Sequence, residues 1–238
     1  MPIISFKQYI YENSHEDEDD EYVDTRELDK HLDDHYSSHI KNNKDNKEAV
    51  YQHVIGSSNI NHKLHNNLPL TDQEKDRSDK LSNAIKTAPK TKRSFTVYAG
   101  LRHAPQSQIL HSKGFQSSSI SPGVGASFAA PIDKQGKHKD SRAQASRGAD
   151  EDGDKHILKI DIPKNTSHGI YTNDGRQYPS DDRDTPAHYV NKNGKLYGTG
   201  EQEYLLDKNK RYKIYHYKKI PHYDGIHATH VYHAKIID

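Results

Sequence analysis

The stretch Glu201-Gln202-Glu203-Tyr204-Leu205-Leu206 decides the fold and the site, because two carboxylates lead directly into an apolar strand. Side chains alternate along an extended chain, so residues 201 and 203 are expected to project from one face. Two like charges that close raise the pKa of one carboxyl group, as two-carboxylate active sites require. Taken alone, the same pattern is also typical of solvated charge at a strand end.

A second polar segment, Phe115-Gln116-Ser117-Ser118-Ser119, precedes a turn that begins at Pro122-Gly123. Alternation places Ser117 and Ser119 on one face, with Phe115 as an aromatic anchor. Serine hydroxyls can hold a carboxylate or a ribose by hydrogen bonding. An ordinary serine-rich turn has the same composition and is the simpler interpretation of the segment by itself.

The predicted elements place helices first and strands afterwards, which indicates an α+β fold. Leu28, Leu32, Tyr36 and Ile40 recur every four residues and predict a helix over 25–41. Further helices are predicted over 48–55 and, after a capping box of Thr71 and Glu74, up to about residue 88. Strands are predicted over 95–98, 156–162, 204–206, 211–217 and 230–237.

Hydrophobic residues make up only 31% of the 238 residues, so part of the chain must lie outside any core. Residues 1–24 are expected to form a flexible acidic segment, and 133–155 a mobile excursion with almost no large apolar side chain. Between them, 25–90 would form a helical lead-in packed on a β core that spans 91–238.

The charge and residue types exclude several classes of function. The net charge of +1 gives no indication of a nucleic-acid partner, although it leaves one open. The absence of cysteine excludes disulfides and thiolate catalysis. No apolar run reaches the length of a membrane span. Glycine-rich phosphate-binding motifs and the GxSxG motif are also absent, so the corresponding nucleotide-binding and hydrolase chemistries lack support.

Three histidines near the C-terminus, His227, His230 and His233, are spaced three apart. On a helix this spacing would group them as metal ligands. The surrounding segment is typical of a strand, however, where residues three apart face opposite sides. We therefore expect no metal site.

Taken in order, Val97-Tyr98-Ala99-Gly100, the serine segment and Glu201-Gln202-Glu203 resemble the Arg, Ser-Thr-Ser and Glu-x-Glu elements of arginine-type mono-ADP-ribosyltransferases. The resemblance covers about residues 48–238, and the tail is similar to those of bacteriophage members that modify host proteins. It implies an ADP-ribosyltransferase-like split two-sheet β core with N-terminal helices and with NAD bound in the cleft.

The resemblance also implies roles for single residues. Glu203 would be the catalytic carboxylate, which binds the nicotinamide ribose and stabilises the oxocarbenium ion. Glu201 would orient the acceptor guanidinium and help to deprotonate it, and a loop over 191–200 would recognise the acceptor. Ser117 would hold Glu203 and the ribose, with Ser119 supporting the strand. The other implied NAD-binding residues are Tyr98, Ala99, Gly100, Arg102 and Phe115.

Ala99 departs from the family pattern, which has at this position an arginine that binds the NAD phosphate. Three explanations are open: Arg102 takes over the role, this branch never used the arginine, or Ala99 is an inactivating substitution. A charged hydrogen bond to phosphate contributes about 1.5–3 kcal/mol, so its loss would weaken NAD binding. Under the third explanation, Ala99→Arg would tighten NAD binding.

The resemblance therefore implies an enzyme that transfers ADP-ribose from NAD to an arginine of a host protein and releases nicotinamide in the host cytoplasm. Ala99 leaves open that this activity is weakened or lost. The alternative is the same fold without catalysis, as a binding module or a packaged virion protein that engages a host partner. Neither a metal nor a membrane partner is expected.

Overall fold

The computed structural model of the chain describes residues 25–56, 58–101, 103–127, 129, 154–172, 188–190, 196–198, 202–221 and 228–237. Five helices are present in this part: α1 (Thr25–Lys41), α2 (Lys44–Gly56), α3 (Ser58–His65), α4 (Asp72–Lys86) and α5 (Pro122–Ser127). The segment 1–24, expected to be flexible, and most of the expected excursion 133–155 lie outside the described residues. Lys155 is an exception, because it begins a strand rather than ending an excursion. No helix in the described part is long and apolar enough to span a membrane.

Helices α1, α2 and α4 form where the sequence predicts them, whereas α3 is not predicted and α5 occupies the expected turn at Pro122-Gly123. Leu32 and Tyr36 of the four-residue stripe are buried on α1. The capping box before α4 is present in both directions: the Glu74 amide donates to the Thr71 hydroxyl, and the Glu74 carboxylate accepts from the Thr71 amide. Leu81 and Ile85 of α4 are buried as well.

The strands are β1 (Phe95–Leu101), β2 (Ile109–Ser112), β3 (Gln116–Ser119), β4 (Lys155–Ile162), β5 (Gly169–Tyr171), β6 (His188–Val190), β7 (Leu196–Gly198), β8 (Glu203–Leu206), β9 (Lys210–Pro221) and β10 (Ala228–Ile236). Eight of them form one sheet in the order β2-β9-β10-β4-β1-β3-β8-β5, and β6 pairs with β7 separately. All described pairings are antiparallel except that of β10 with β4. The predicted α+β class with N-terminal helices is confirmed.

The eight-stranded sheet is nearly divided between β1 and β3. These two strands share a single registered pair, Tyr98 with Ser119, whereas β1 pairs with β4 along its whole length. The sheet therefore has a five-stranded part, β2-β9-β10-β4-β1, and a three-stranded part, β3-β8-β5. The expected two-sheet core takes this form, as two parts of one hydrogen-bonded sheet rather than as two separate sheets.

Tyrosine supplies much of the buried volume, as the composition requires. Tyr204 of β8 packs edge-on against Tyr36 of α1, with 6.2 Å between ring centroids, and against Phe95 at 5.1 Å. Burial raises the pKa of the Tyr36 hydroxyl and holds that of Tyr204 well above its ordinary range. The Tyr171 hydroxyl donates to Asp29 and joins the three-stranded part to α1. Helices and sheet thus contribute to one hydrophobic core.

Candidate active site

Glu203 is the first residue of β8, which lies one strand away from the division between β1 and β3. Its register partner on β3 is Ser119, and the register partner of Ser119 on β1 is Tyr98. Directly opposed residues of paired strands project from the same face, so these three side chains share one face at the division. Glu203 is only 8% exposed, and a carboxylate with so little access to water requires hydrogen-bond donors.

Thr172 supplies one of these donors. Its hydroxyl donates to Oε2 of Glu203 at 2.7 Å, and its backbone amide donates to the Glu203 carbonyl oxygen at 2.9 Å. Both residues are buried. Two hydrogen bonds from one residue fix the side chain and the backbone of Glu203 together. Thr172 thereby holds the carboxylate from the β5 side of β8.

The sequence did not single out Thr172, because its place depends on the pairing of β5 with β8, thirty residues apart in the chain. β5 is a three-residue strand, too short for a periodicity to predict. The available signal is a hydroxyl residue directly after the short run Gly169-Ile170-Tyr171. That signal alone does not distinguish a strand end from a turn.

The register of β3 with β8 distinguishes Ser117 from Ser119, which strand alternation places on the same face. Ser119 lies opposite Glu203, whereas Ser117 lies opposite Leu205, about 7 Å further along the same face. The hydroxyl of Ser119 also accepts a hydrogen bond from the Ser121 amide at 3.1 Å. Ser118 faces the other side and donates to the Tyr204 carbonyl oxygen at 2.5 Å. The position beside Glu203 therefore belongs to Ser119, not to Ser117.

Gln202 separates the two glutamates with a left-handed backbone, at a φ of 46°. β8 begins only at Glu203, so the argument that residues 201 and 203 alternate along an extended chain is wrong. Glu201 itself lies outside the described residues. The Gln202 carbonyl oxygen accepts from the Ile120 amide at 3.2 Å, which ties this turn to the end of β3. Non-glycine residues in this conformation cost about 1–3 kcal/mol and cluster at functional sites.

Phe115 anchors the start of β3 through contacts with the helices. Its amide donates to Oδ1 of Asn61 at 3.0 Å, and its carbonyl oxygen accepts from Nδ2 of the same residue at 3.2 Å. The ring is 3% exposed and packs edge-on against His53, whose pKa burial lowers to about 4. The ring thus acts as the expected anchor and is part of the hydrophobic core.

Ala99 also belongs to the core, which corrects the expectation built on it. The side chain is fully buried, and its register partner is Leu158. Because Ala99 follows Tyr98 in β1, it projects from the face opposite to Glu203. An arginine here would enter the hydrophobic core, so Ala99→Arg would not restore a phosphate contact. Arg102 lies outside the described residues, and Gly100 pairs with Ile157 on β4.

Helix α5 covers β1 beside the site. A Cβ atom on Gly125 would lie 2.4 Å from the Tyr98 Cβ and 2.8 Å from the Tyr98 carbonyl oxygen. Only glycine permits this approach. The helix therefore sits directly on the backbone of the strand that borders the division of the sheet.

The histidines of β10 face opposite sides, as the strand prediction requires. His230 stacks on Tyr217, whereas His233 packs edge-on against His216. His227 lies outside the described residues. Within the part of the chain that the structure describes, no group of three or more His, Asp or Glu side chains is arranged to hold a metal ion.

Comparison with protein families matches residues 25–235 to the family described as ADP-ribosyltransferase exoenzyme. The match includes all five described helices and all strands except the last residue of β10. A search of curated proteins finds no relative of the chain.

Solved structures of bacterial ADP-ribosylating toxins share the fold. Plx2a, an ADP-ribosyltransferase toxin from Paenibacillus larvae, is 16% identical with a TM-score of 0.58, over 91% of this chain and 98% of that one. BECa of a binary enterotoxin of C. perfringens, solved with NADH, is 13% identical with a TM-score of 0.59. The match covers 90% of this chain and 48% of BECa. C3stau2 from S. aureus, solved with NAD, is 15% identical with a TM-score of 0.53. The match covers 95% of this chain and 99% of C3stau2. The chain thus spans about half of BECa and nearly all of the other two.

Proposed function

Since the chain belongs to the ADP-ribosyltransferase exoenzyme family, we propose that it cleaves NAD and transfers the ADP-ribosyl group, with Glu203 as the catalytic carboxylate. The observation that carries the proposal is the buried carboxylate of Glu203, which accepts a hydrogen bond from Thr172 and lies opposite Ser119, the β3 residue that pairs with β1. A negative charge fixed in a site with little water stabilises a positive charge that develops beside it.

The reaction needs such a charge. As the bond between the ribose C1′ and the nicotinamide nitrogen breaks, the electron pair leaves with nicotinamide and the ribose becomes an oxocarbenium ion. Glu203 would stabilise this cation and accept a hydrogen bond from the ribose hydroxyl. The nucleophile of the acceptor then forms a new bond to C1′ and loses a proton. Thr172 would keep the carboxylate in place throughout.

Among the two serines, we assign the position beside the carboxylate and the ribose to Ser119. Its register partner is Glu203 itself, and its hydroxyl is already fixed by the Ser121 amide. Ser117 would act one step further along the face. Ser119→Ala is therefore expected to slow transfer more than Ser117→Ala.

The finer proposal is that the acceptor is an arginine of a host protein and that transfer takes place in the host cytoplasm. The carboxylate of Glu201, two residues before Glu203, supports arginine because a carboxylate can orient and deprotonate a guanidinium group. The similarity of the tail to bacteriophage members supports a host protein as the target.

Mass spectrometry of a bacterial lysate incubated with the full chain and isotope-labelled NAD tests the proposal. The expected result is labelled ADP-ribose on arginine, present with the wild type and lost with Glu203→Gln. Label on another residue type would contradict the arginine proposal alone. Absence of label from every lysate component, together with NAD-independent capture of a lysate protein, would favour a binding module instead.

A further inference from the structure

The strands β9 and β10 concentrate positive charge. β9 carries five cations and no acid, and β10 adds Lys235 and two histidines, again without an acid. The carboxylates that balance the net charge to +1 lie elsewhere: α1 contains Glu27, Asp29, Asp33 and Asp34, and α4 contains Asp72, Glu74, Asp76 and Asp79. The net charge is therefore close to zero although β9 and β10 together form a strongly basic region.

Many of these cations lie on one face of the sheet. Burial alternates along β9, so Tyr212 and Ile214 point into the core while Arg211, Lys213 and Tyr215 are exposed. A bulge follows, and His216 then lies opposite His233. Ring contacts of His233 with both Tyr215 and His216 place all three side chains on the exposed face. We call this surface, formed by Lys159, Lys213, Lys218, Lys235 and the three rings, the basic face.

Lysines outnumber acids on the basic face in the described part of the chain. Lys213 lies directly opposite Lys235, a like-charge pair that costs stability. No described carboxylate is within ion-pair distance of Lys159, Lys213 or Lys235. Among the described residues of these strands, one acid lies on this face: Asp161, which is opposite Lys235 and accepts a hydrogen bond from the Tyr215 hydroxyl at 2.6 Å. An external polyanion would relieve the repulsion.

Aromatic side chains among the cations indicate which polyanion fits. Tyr215 is 40% exposed, and its hydroxyl bond to Asp161 fixes the ring on the surface. Proteins that bind single-stranded nucleic acid combine exposed rings with clustered lysines. The bases stack on the rings, and the phosphates lie beside the cations. We infer that the basic face binds single-stranded nucleic acid. An acidic protein would use the lysines but would gain little from the rings.

The basic face lies on the same side of the sheet as the candidate active site. Register partners run in one row from Glu203 through Ser119, Tyr98, Lys159 and His233 to His216. At about 4.8 Å between strands, Lys159 is about 14 Å and His233 about 19 Å from Glu203 along this row. Helix α5 covers Tyr98 in this row, so a bound strand would lie beyond α5 as seen from the site. Binding itself needs neither NAD nor Glu203, so it is separate from the proposed transfer.

Fluorescence anisotropy with labelled oligothymidylate and oligouridylate of about twelve nucleotides tests the inference, because such lengths fill a typical binding site. The wild-type chain is expected to bind both, with an affinity that falls steeply as salt rises. The double variant Lys213→Gln, Lys235→Gln should bind about tenfold more weakly at low salt, and its log–log salt slope should decrease by about 1.4 because two phosphate contacts are lost. Lys75→Gln, Lys86→Gln removes the same charge from exposed positions of α4 and should match the wild type.

The contribution of the ring is tested separately. Tyr215→Leu should weaken binding at least about fivefold without a change in salt slope, whereas Tyr215→Phe should retain the affinity. Thermal melting of each variant establishes that the sheet is intact. Absence of binding by the wild type at low salt, or an unchanged slope in the double lysine variant, would overturn the inference. Polyglutamate bound as tightly as the oligonucleotides would assign the face to acidic proteins instead. Glu203→Gln should bind like the wild type, which separates this result from the proposed catalysis.

Discussion

At the scale of single residues, the site depends on how one buried carboxylate is held. Glu203 is 8% exposed, and the Thr172 hydroxyl at 2.7 Å satisfies one of its oxygens. A hydrogen bond to a charged group contributes about 1.5–3 kcal/mol, and more is lost when one partner is left buried without it. We therefore propose that Thr172 acts on the reaction by positioning Glu203.

Thr172→Val tests this positioning role, because valine keeps the volume and removes the hydroxyl. The rate of ADP-ribosyl transfer should fall about tenfold to a hundredfold, as the loss of a charged hydrogen bond implies. The loss should appear in kcat rather than in KM for NAD. Thr172→Ser restores the hydroxyl and should recover most of the rate, an outcome that a merely structural role would not produce.

Ala99→Arg addresses the departure from the family pattern. The Ala99 side chain is fully buried on the face opposite to Glu203, so an arginine would place a charge in the core. We expect a loss of several kcal/mol in the free energy of unfolding, measured by chemical denaturation, and no gain in NAD affinity by calorimetry. His111→Arg adds the same side chain at an exposed position of β2 and should leave stability unchanged. Tighter NAD binding by a stable Ala99→Arg chain would contradict the register described for β1.

At the scale of elements, the site exists because β1 and β3 share only one registered pair. Twisted strands that share a single registered pair diverge beyond it, one strand away from Glu203. Helix α5 crosses β1 at this point, and Gly125 permits the contact with Tyr98. The packing of α5 on β1 therefore depends on one small residue.

Gly125→Ala should destabilise the chain by about 1–3 kcal/mol, because the added methyl group overlaps with the backbone of Tyr98. Gly123 in the same helix is the matched control, since the nearest atom to an added Cβ there is the Ser121 hydroxyl at 3.9 Å. Gly123→Ala should be neutral or slightly stabilising, as alanine favours the helix. Denaturant unfolding of both variants measures the difference, and equal stabilities would show that α5 does not rest on β1.

Elements with a strong local signal could be predicted from the sequence, and those that depend on distant pairing could not. The stripe of α1 and the capping box of α4 are local patterns, and both occur where expected. The three-residue strand β5 is too short to show a periodicity, so no local pattern predicts that Thr172 contacts Glu203. Gln202 has a left-handed backbone, so the predicted alternation of side chains between residues 201 and 203 does not hold. The register that favours Ser119 over Ser117 is a tertiary property, invisible to a single strand's pattern.

At the scale of the whole molecule, histidine burial makes stability depend on pH. His53 has a pKa of about 4 because it is buried, compared with 6.5 for an exposed histidine. The unfolded chain therefore binds a proton at a higher pH than the folded chain. This contribution to stability is complete above about pH 6.5 and is lost as the pH falls towards about 4, by about 3 kcal/mol in total.

His53→Phe should reduce this pH dependence, because phenylalanine keeps the edge-on contact with Phe115 and binds no proton. Denaturant unfolding at pH 7 and pH 4.5 measures the difference for each variant. The wild type should lose more stability between the two pH values than His53→Phe does. His111→Phe, at an exposed position, should behave like the wild type. Equal losses for all three chains would show that His53 is not the group responsible.

The central claim is that Glu203, buried and held by Thr172, makes the chain an NAD-cleaving transferase. The release of nicotinamide from NAD in a bacterial lysate, followed for the wild type, Glu203→Gln and the exposed-site control Glu48→Gln, tests it most directly. The account predicts equal rates for the wild type and Glu48→Gln, and a loss of about a hundredfold or more for Glu203→Gln, because the charge that stabilises the oxocarbenium ion is gone. Release by Glu203→Gln at the wild-type rate would contradict it.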